Sequence, residues 1–179
     1  GLGEATLITL PVNTGYTGGF NLGLRHAVVA DADLVVLVNS DAIVAPDAIR
    51  RLVEAAESRS DAALIGAVIM AGEDGDRVLT AGARLDERLQ VVHHCMGEPP
   101  PDPDAPPRAV DVVSGCVVLV RASVLARIGY LDPAFFAYYE DVDWSLRARR
   151  TGFGVYVAPG ARAWHRDTRE RDEHSAAVT

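Results

Sequence analysis

The sequence predicts an α/β fold, with a mostly parallel sheet flanked by helices, and three observations carry that expectation. Residues 33–38 and 64–70 are near-continuous apolar runs, the pattern of strands covered on both faces. Between them, Ile49, Leu52, Val53 and Ala56 recur at helical spacing, with Arg50, Arg51, Glu54 and Glu57 on the opposite side. The first strand ends on Asn39-Ser40-Asp41, and in open α/β sheets ligands gather beyond the carboxyl ends of strands.

Taken in order, residues 6–10 read as a short strand ended by Pro11. Residues 13–21 follow as a polar, glycine-dense loop, and residues 22–30 as a helix. Glycines at such a place let backbone N–H groups approach an anion at a helix N-terminus, although plain turns share the pattern. After Asn39-Ser40-Asp41 the chain turns into the helix that Pro46 opens at its first position. Residues 71–76 form a turn after the second strand, and residues 78–80 return from it. Residues 89–94 read as an edge strand, whose adjacent His93 and His94 point to opposite faces, which argues against a shared metal.

Residues 97–109 hold six prolines and three acidic groups, so a mobile loop or lid is expected there. Residues 110–120 are the most apolar segment, and Gly115 within them marks a bulge or a close backbone approach. Ser123 is placed to cap a short helix that stops at Gly129. A helix from residue 141 to about residue 150 ends before Gly152, with Arg147, Arg149 and Arg150 near its C-terminus. Residues 154–157 form a strand, Arg162-Ala163-Trp164-His165 come last, and residues 166–179 are expected to be a disordered polar tail.

At 179 residues the chain is long enough for one domain with a sizeable core. No apolar run approaches the roughly eighteen residues that cross a bilayer, and no signal-peptide pattern opens the sequence. Gly1 is not an initiator residue, so upstream sequence is expected. A net charge of −8 argues against nucleic acid as a partner. All 17 basic residues are Arg, which excludes a lysine-dependent phosphate loop and Schiff-base chemistry. Only Cys95 and Cys116 could pair, and Cys116 lies in a buried run, so a reducing, cytoplasmic compartment is the default.

The chemistry concentrates where the aromatic run 135–139 meets Glu140, Asp141 and Asp143. An apolar rim raises a carboxylate's proton affinity and excludes water, as a general base acting on a hydroxyl requires. The plainer alternative is that Asp141 or Asp143 caps the helix that follows.

In sum the chain resembles a family 2 glycosyltransferase of the inverting, nucleotide-sugar-dependent kind, with rhamnosyltransferase-like members nearest. The resemblance rests on Asn13-x-Gly15-x-x-Gly18-Gly19-x-Asn21, on Asn39-Ser40-Asp41, on Val113-Ser114-Gly115 and on Ile128-Gly129-Tyr130-Leu131-Asp132. It continues through Phe136-x-Tyr138-x-Glu140-Asp141-x-Asp143, Arg147, Gly152 and His165, in order over about 150 residues.

The resemblance implies a GT-A-like, Rossmann-related domain over residues 1–165. It implies transfer of a sugar from a nucleotide-sugar donor to a saccharide or lipid-linked acceptor hydroxyl. Asp141 matches the family's base, with Glu140 binding an acceptor hydroxyl or orienting that base. Asp41 and His165 match metal ligands for Mg²⁺ or Mn²⁺. Asn13, Gly15, Gly18, Gly19, Asn21, Asn39, Ser40 and Gly115 would lie along the donor. Peripheral association with the inner face of a membrane and a homodimer are two assemblies it leaves open.

Two departures stand out. The metal triplet begins with Asn39 rather than Asp, so it offers one carboxylate. The two N-terminal βα units that hold the nucleotide in the family are not seen, which would impair nucleotide binding by this chain. That second departure keeps a non-catalytic, sugar- or partner-binding remnant as the alternative. A Mg²⁺-dependent phosphatase using Asp41 is disfavoured, because that chemistry usually needs a Lys.

Overall fold

The computed structural model describes residues 5–72 and 75–165. In chain order the elements are α1 (Gly15–Val29), β1 (Leu34–Val38), β2 (Ala42–Val44), α2 (Ala48–Ser58), β3 (Ala62–Ala71) and β4 (Val78–Thr80). There follow β5 (Ala83–Leu85), β6 (Val91–His93), β7 (Arg108–Ala109), β8 (Val117–Arg121), α3 (Leu125–Ile128), α4 (Glu140–Arg150) and β9 (Gly154–His165).

β3 is the spine, because its side chains are apolar in both phases of the pleat. Leu64, Val68 and Met70 enter one core with Leu24 of α1 and with Trp144 and Ala148 of α4. Ile65, Ala67 and Ile69 enter the other with Ala48, Leu52 and Ala56 of α2. Each fully buried aliphatic side chain contributes about 1.5–3 kcal/mol, so helices on both faces are what make this strand stable in the middle. The sheet runs β1-β8-β3-β9-β2, with β4 on β3 and β7 on β9, while β5 and β6 form a separate two-stranded ribbon.

The α/β class holds, but the sheet is not mostly parallel. β3 and β9 run parallel, whereas the β1–β8, β8–β3, β9–β2, β3–β4 and β7–β9 pairs are antiparallel. The apolar runs were produced by two-sided burial, and burial does not depend on strand direction.

Several boundaries differ for physical reasons. Residues 6–10 form no strand; Leu7 is 88% exposed and no described strand pairs with that segment. The glycine-dense segment is helical from Gly15 onward. Its glycines cost helix stability, and tertiary hydrogen bonds from Thr17 and Asn21 offset that cost. β2 intervenes before α2, whose first residue is Ala48, and Ala48 and Ala55 are buried where Ile49 is exposed. Residues 110–116 precede β8 as irregular chain, and Ser123 lies inside a 3₁₀ turn without making a capping hydrogen bond.

The proline-rich residues 97–109 are a strap against α2 and β9, not a mobile lid. Arg51 Nη1 donates to Asp104 Oδ1 at 3.0 Å, and Arg162 Nη2 donates to the Pro101 carbonyl at 3.3 Å. The tail expected at residues 166–179 lies outside the described residues. No described helix is long and apolar enough to cross a membrane.

Candidate active site

The N-terminal half of α1 holds the aromatic segment in place. Thr17 Oγ1 donates to the Phe135 carbonyl at 2.6 Å. The Asn21 side chain donates to the Leu131 carbonyl at 2.8 Å and accepts from the Leu131 N–H at 3.0 Å. A Cβ on Gly15 would lie 2.3 Å from the Phe136 carbonyl oxygen, so the glycine there makes room for that backbone. Asn13 Oδ1 accepts from the Gly15 N–H at 2.9 Å and starts the helix.

α4 is anchored by Trp144, which is 2% exposed and donates its indole N–H to the Gly129 carbonyl at 2.9 Å. Asp141 and Ser145 stand one turn apart on the same face. Asp141 Oδ2 accepts from the Gly115 N–H at 3.0 Å, and Ser145 Oγ accepts from the Val113 N–H at 3.3 Å. Two side chains thus stitch the helix to residues 113–115. Neither Asp141 nor Asp143 caps α4: the cap residue is Tyr139 in the left-handed region, and Asp143 binds Arg147 at 2.7 Å. Tyr138 and Tyr139 both have positive φ, 69° and 65°. A non-glycine residue in that region costs about 1–3 kcal/mol, and two in succession mark a segment held by its surroundings.

On the far wall, β2 pairs with β9 so that Ala42 faces His165, which brings the preceding Asp41 alongside. His165 Nε2 lies 3.3 Å from Asp41 Oδ1. Asn39 sits at the carboxyl end of β1, its N–H donating to the Cys116 carbonyl at 2.9 Å. Asn39, Asp41, Gly115, Glu140, Asp141 and His165 all line one cleft of about 420 Å³.

Burial sets the electrostatics of this cleft. Desolvation holds the Asp141 carboxyl above its ordinary range, partly offset by the N–H groups of Gly115 and Val142. Glu140 is 5% exposed and is also raised, first by desolvation and then by the neighbouring Asp141. Its Oε2 is buried without a hydrogen-bond partner. Tyr16, whose hydroxyl donates to the Gly115 carbonyl at 2.5 Å, is raised by burial and the two carboxylates, so it stays a neutral donor. Burial pushes the Cys116 thiol up to about 12, which leaves it unreactive.

Among the described residues no three His, Cys, Asp or Glu side chains converge as a metal cluster. Asp41 and His165 still form a carboxylate–imidazole pair, and Asn39 Oδ1, in the same cleft, is buried with no hydrogen-bond partner. An orphaned buried amide oxygen beside that pair fits a hard divalent cation whose remaining positions are filled by ligand oxygens.

A family model described as glycosyltransferase like family 2 matches residues 4–178. The chain belongs to that family. It is similar to a low-salt glycan biosynthesis hexosyltransferase of Haloferax volcanii, 26% identical over 144 residues, covering 80% of this chain and 46% of that protein. It is also similar to an N-acetylglucosaminyl-diphospho-decaprenol L-rhamnosyltransferase of Mycobacterium tuberculosis, 28% identical over 145 residues, covering 74% and 47%. The chain therefore spans about half the length of these curated relatives. Its fold matches a crystal structure of GalNAc-T7 with UDP, GalNAc and Mn²⁺ at a TM-score of 0.67 and 15% identity, covering 87% of this chain and 31% of that one.

Within this family 2 domain the expected site residues divide. Asp41, His165, Asn39, Gly115, Glu140 and Asp141 share the cleft. Asn13, Gly15, Gly18, Gly19, Asn21 and Ser40 are not among the residues that line it. Gly19 is exposed with open space around its Cα, a Cβ on Gly18 would meet the Thr14 side chain, and Ser40 is exposed on its turn. Residue reading missed Tyr16, Thr80 and Met96, which line the cleft, and set aside His93, which does too. Tyr16 carried a signal, an aromatic placed among glycines.

Proposed function

We propose that this domain transfers a sugar from a nucleotide-sugar donor to a hydroxyl of a saccharide or lipid-linked acceptor, with inversion. The observation that supports it best is the single cleft that Asp141, raised by its surroundings, lines together with the Asp41–His165 pair.

Asp141 accepts the proton of the acceptor hydroxyl as its oxygen bonds to the anomeric carbon from the face opposite the leaving group. The bond from that carbon to the phosphate oxygen breaks, and the nucleoside diphosphate departs with the electron pair. The Gly115 and Val142 N–H groups hold the Asp141 carboxylate in one orientation. The Tyr16 hydroxyl fixes the Gly115 carbonyl on the other side of the same peptide segment. Asp41, His165 and Asn39 would hold Mg²⁺ or Mn²⁺, which when bound neutralises charge on the diphosphate leaving group.

The GalNAc-T7 structure held UDP and Mn²⁺, which favours this pairing of nucleotide and cation. The mycobacterial relative's name joins rhamnosyl transfer to N-acetylglucosaminyl-diphospho-decaprenol, which favours a lipid-linked acceptor here. Such an acceptor would place the domain peripherally at the inner face of a membrane.

The test is Asp141→Asn in the complete protein, measured for transfer and for binding of uridine or thymidine diphosphate with Mn²⁺. Transfer is expected to fall by at least about 10³-fold, in the range of lost acid–base groups, while nucleotide binding persists. Unchanged turnover removes Asp141 from the mechanism. Absence of both transfer and nucleotide heat in the parent protein favours a non-catalytic sugar- or partner-binding role.

A further inference from the structure

Asp141 lines a second cavity as well as the cleft. This cavity, of about 210 Å³, lies between the β5–β6 ribbon, residues 112–114 and the start of α4. Thr80, His93, Ser114, Tyr138 and Asp141 line both spaces, so the two meet at Asp141. The Asp41–His165 pair lines only the larger one. A base that takes a proton from one substrate as it attacks another must stand between the two.

Resting on the transferase reading above, we infer that this second cavity is the acceptor subsite and that it takes a neutral sugar ring, seated against Tyr139. Its walls are mainly apolar, from Ala83, Val91, Val112, Val113 and Val142, a surface suited to the carbon face of a pyranose. Tyr138 and Tyr139 stand 81% and 64% exposed in a backbone conformation that non-glycine residues rarely adopt. Among the described residues none buries these rings, so their held positions point to a ligand that covers them. Ser114 offers a hydroxyl there, beside a hydrogen-bonded Thr80–His93 pair. Thr80 donates its hydroxyl hydrogen to the Gly82 carbonyl at 3.0 Å, so it accepts at 2.9 Å from His93, whose proton is thereby assigned to Nδ1.

Charge decides the class of sugar. Among the described residues no Arg lines this cavity, and the chain has no Lys. A uronate ring seated there would meet the Asp141 carboxylate with no described guanidinium to balance it. A neutral hexose or N-acetylhexosamine carries no such cost.

The test titrates the complete protein, ¹⁵N-labelled, with methyl N-acetyl-β-glucosaminide, methyl α-rhamnoside and sodium glucuronate. At least one neutral glycoside is expected to shift the Ala83, Val112 and Tyr139 amides saturably. Tyr139→Ala should weaken that binding at least about tenfold, while Tyr139→Phe, which keeps the ring, retains it. Glucuronate should shift these amides at least about tenfold more weakly. Tyr139 is exposed, and an unchanged circular dichroism spectrum confirms that its variants fold. No saturable shift with either neutral glycoside, shifts confined to other surfaces, or equal affinity for glucuronate overturns the inference. The readout needs no donor, so loss of transfer in the preceding test leaves this result standing, and the reverse also holds.

Discussion

Tyr16 and Gly115, 99 residues apart, fit closely against each other in the cleft. The Tyr16 hydroxyl donates to the Gly115 carbonyl at 2.5 Å, and a Cβ built on Gly115 would lie 2.7 Å from that same oxygen. The Gly115 N–H meanwhile holds Asp141 Oδ2 at 3.0 Å. One glycine residue therefore links α1, the approach to β8 and the base-bearing first turn of α4.

Gly115→Ala forces the tyrosine or the peptide to move. It is expected to cost about 1–3 kcal/mol of stability, the range for overpacking, as measured by urea unfolding. Tyr16→Phe alone loses a hydrogen bond of about 1 kcal/mol but removes the atom that clashes. The double variant should therefore be more stable than the sum of the two single effects predicts. Simple additivity in that cycle would show that Tyr16 is not what confines Gly115.

Asn21 predicts a different kind of loss. Its amide satisfies both backbone groups of buried Leu131. Asn21→Ala strands a donor and an acceptor, at a cost of roughly 2–4 kcal/mol. Chemical denaturation checks the cost, and nucleotide binding by the folded fraction should be unchanged. Weakened nucleotide binding with intact stability would return Asn21 to the donor site.

These two contacts mark what could be read from residues alone. Asp41 and His165 are 124 positions apart, yet their place in an ordered motif series put them in one site, and the β2–β9 register brings them together. A glycine signals close approach, but Gly115 could not announce that its neighbour is Tyr16 rather than a ligand. The segment 13–21 was misread because local glycine content argued for a loop, whereas the hydrogen bonds that make it helical reach residues more than 100 positions away. Strand direction was illegible for a related reason: two-sided burial writes the same apolar run in either sense. His93 was weighed only with His94, and its place beside Asp141 depends on how the β5–β6 ribbon folds over the cleft.

The raised Asp141 carboxyl fixes the pH dependence of transfer. The base acts as the carboxylate, so kcat/KM should fall as pH drops through a midpoint above the ordinary 3.8. The sign for stability is opposite. Protonated Asp141 and Glu140 are the forms favoured by burial, so their contribution is present below the ordinary carboxylate values and is lost as pH rises through the raised ones. Glu140→Gln should leave an acid limb in the rate profile. Disappearance of that limb would make Glu140 the titrating base.

The cation side can be tested by adding a carboxylate as well as by removing one. Asn39 Oδ1 is buried without a partner in the cleft that holds Asp41 and His165. A hard cation gains more from a carboxylate than from an amide oxygen, so Asn39→Asp should tighten Mn²⁺ binding by roughly tenfold when charged nucleotide is absent. Asp41→Asn should weaken it by a similar factor, and His165→Ala should weaken it less, since an imidazole contributes no charge. Without the cation, Asn39→Asp crowds a second carboxylate beside Asp41, so the apo variant should unfold at a lower temperature and recover on Mn²⁺ addition. Calorimetric titration with Mn²⁺ and melting curves with and without the ion read both effects. A variant that melts lower and is not rescued by Mn²⁺ would show that Asn39 does not face the cation.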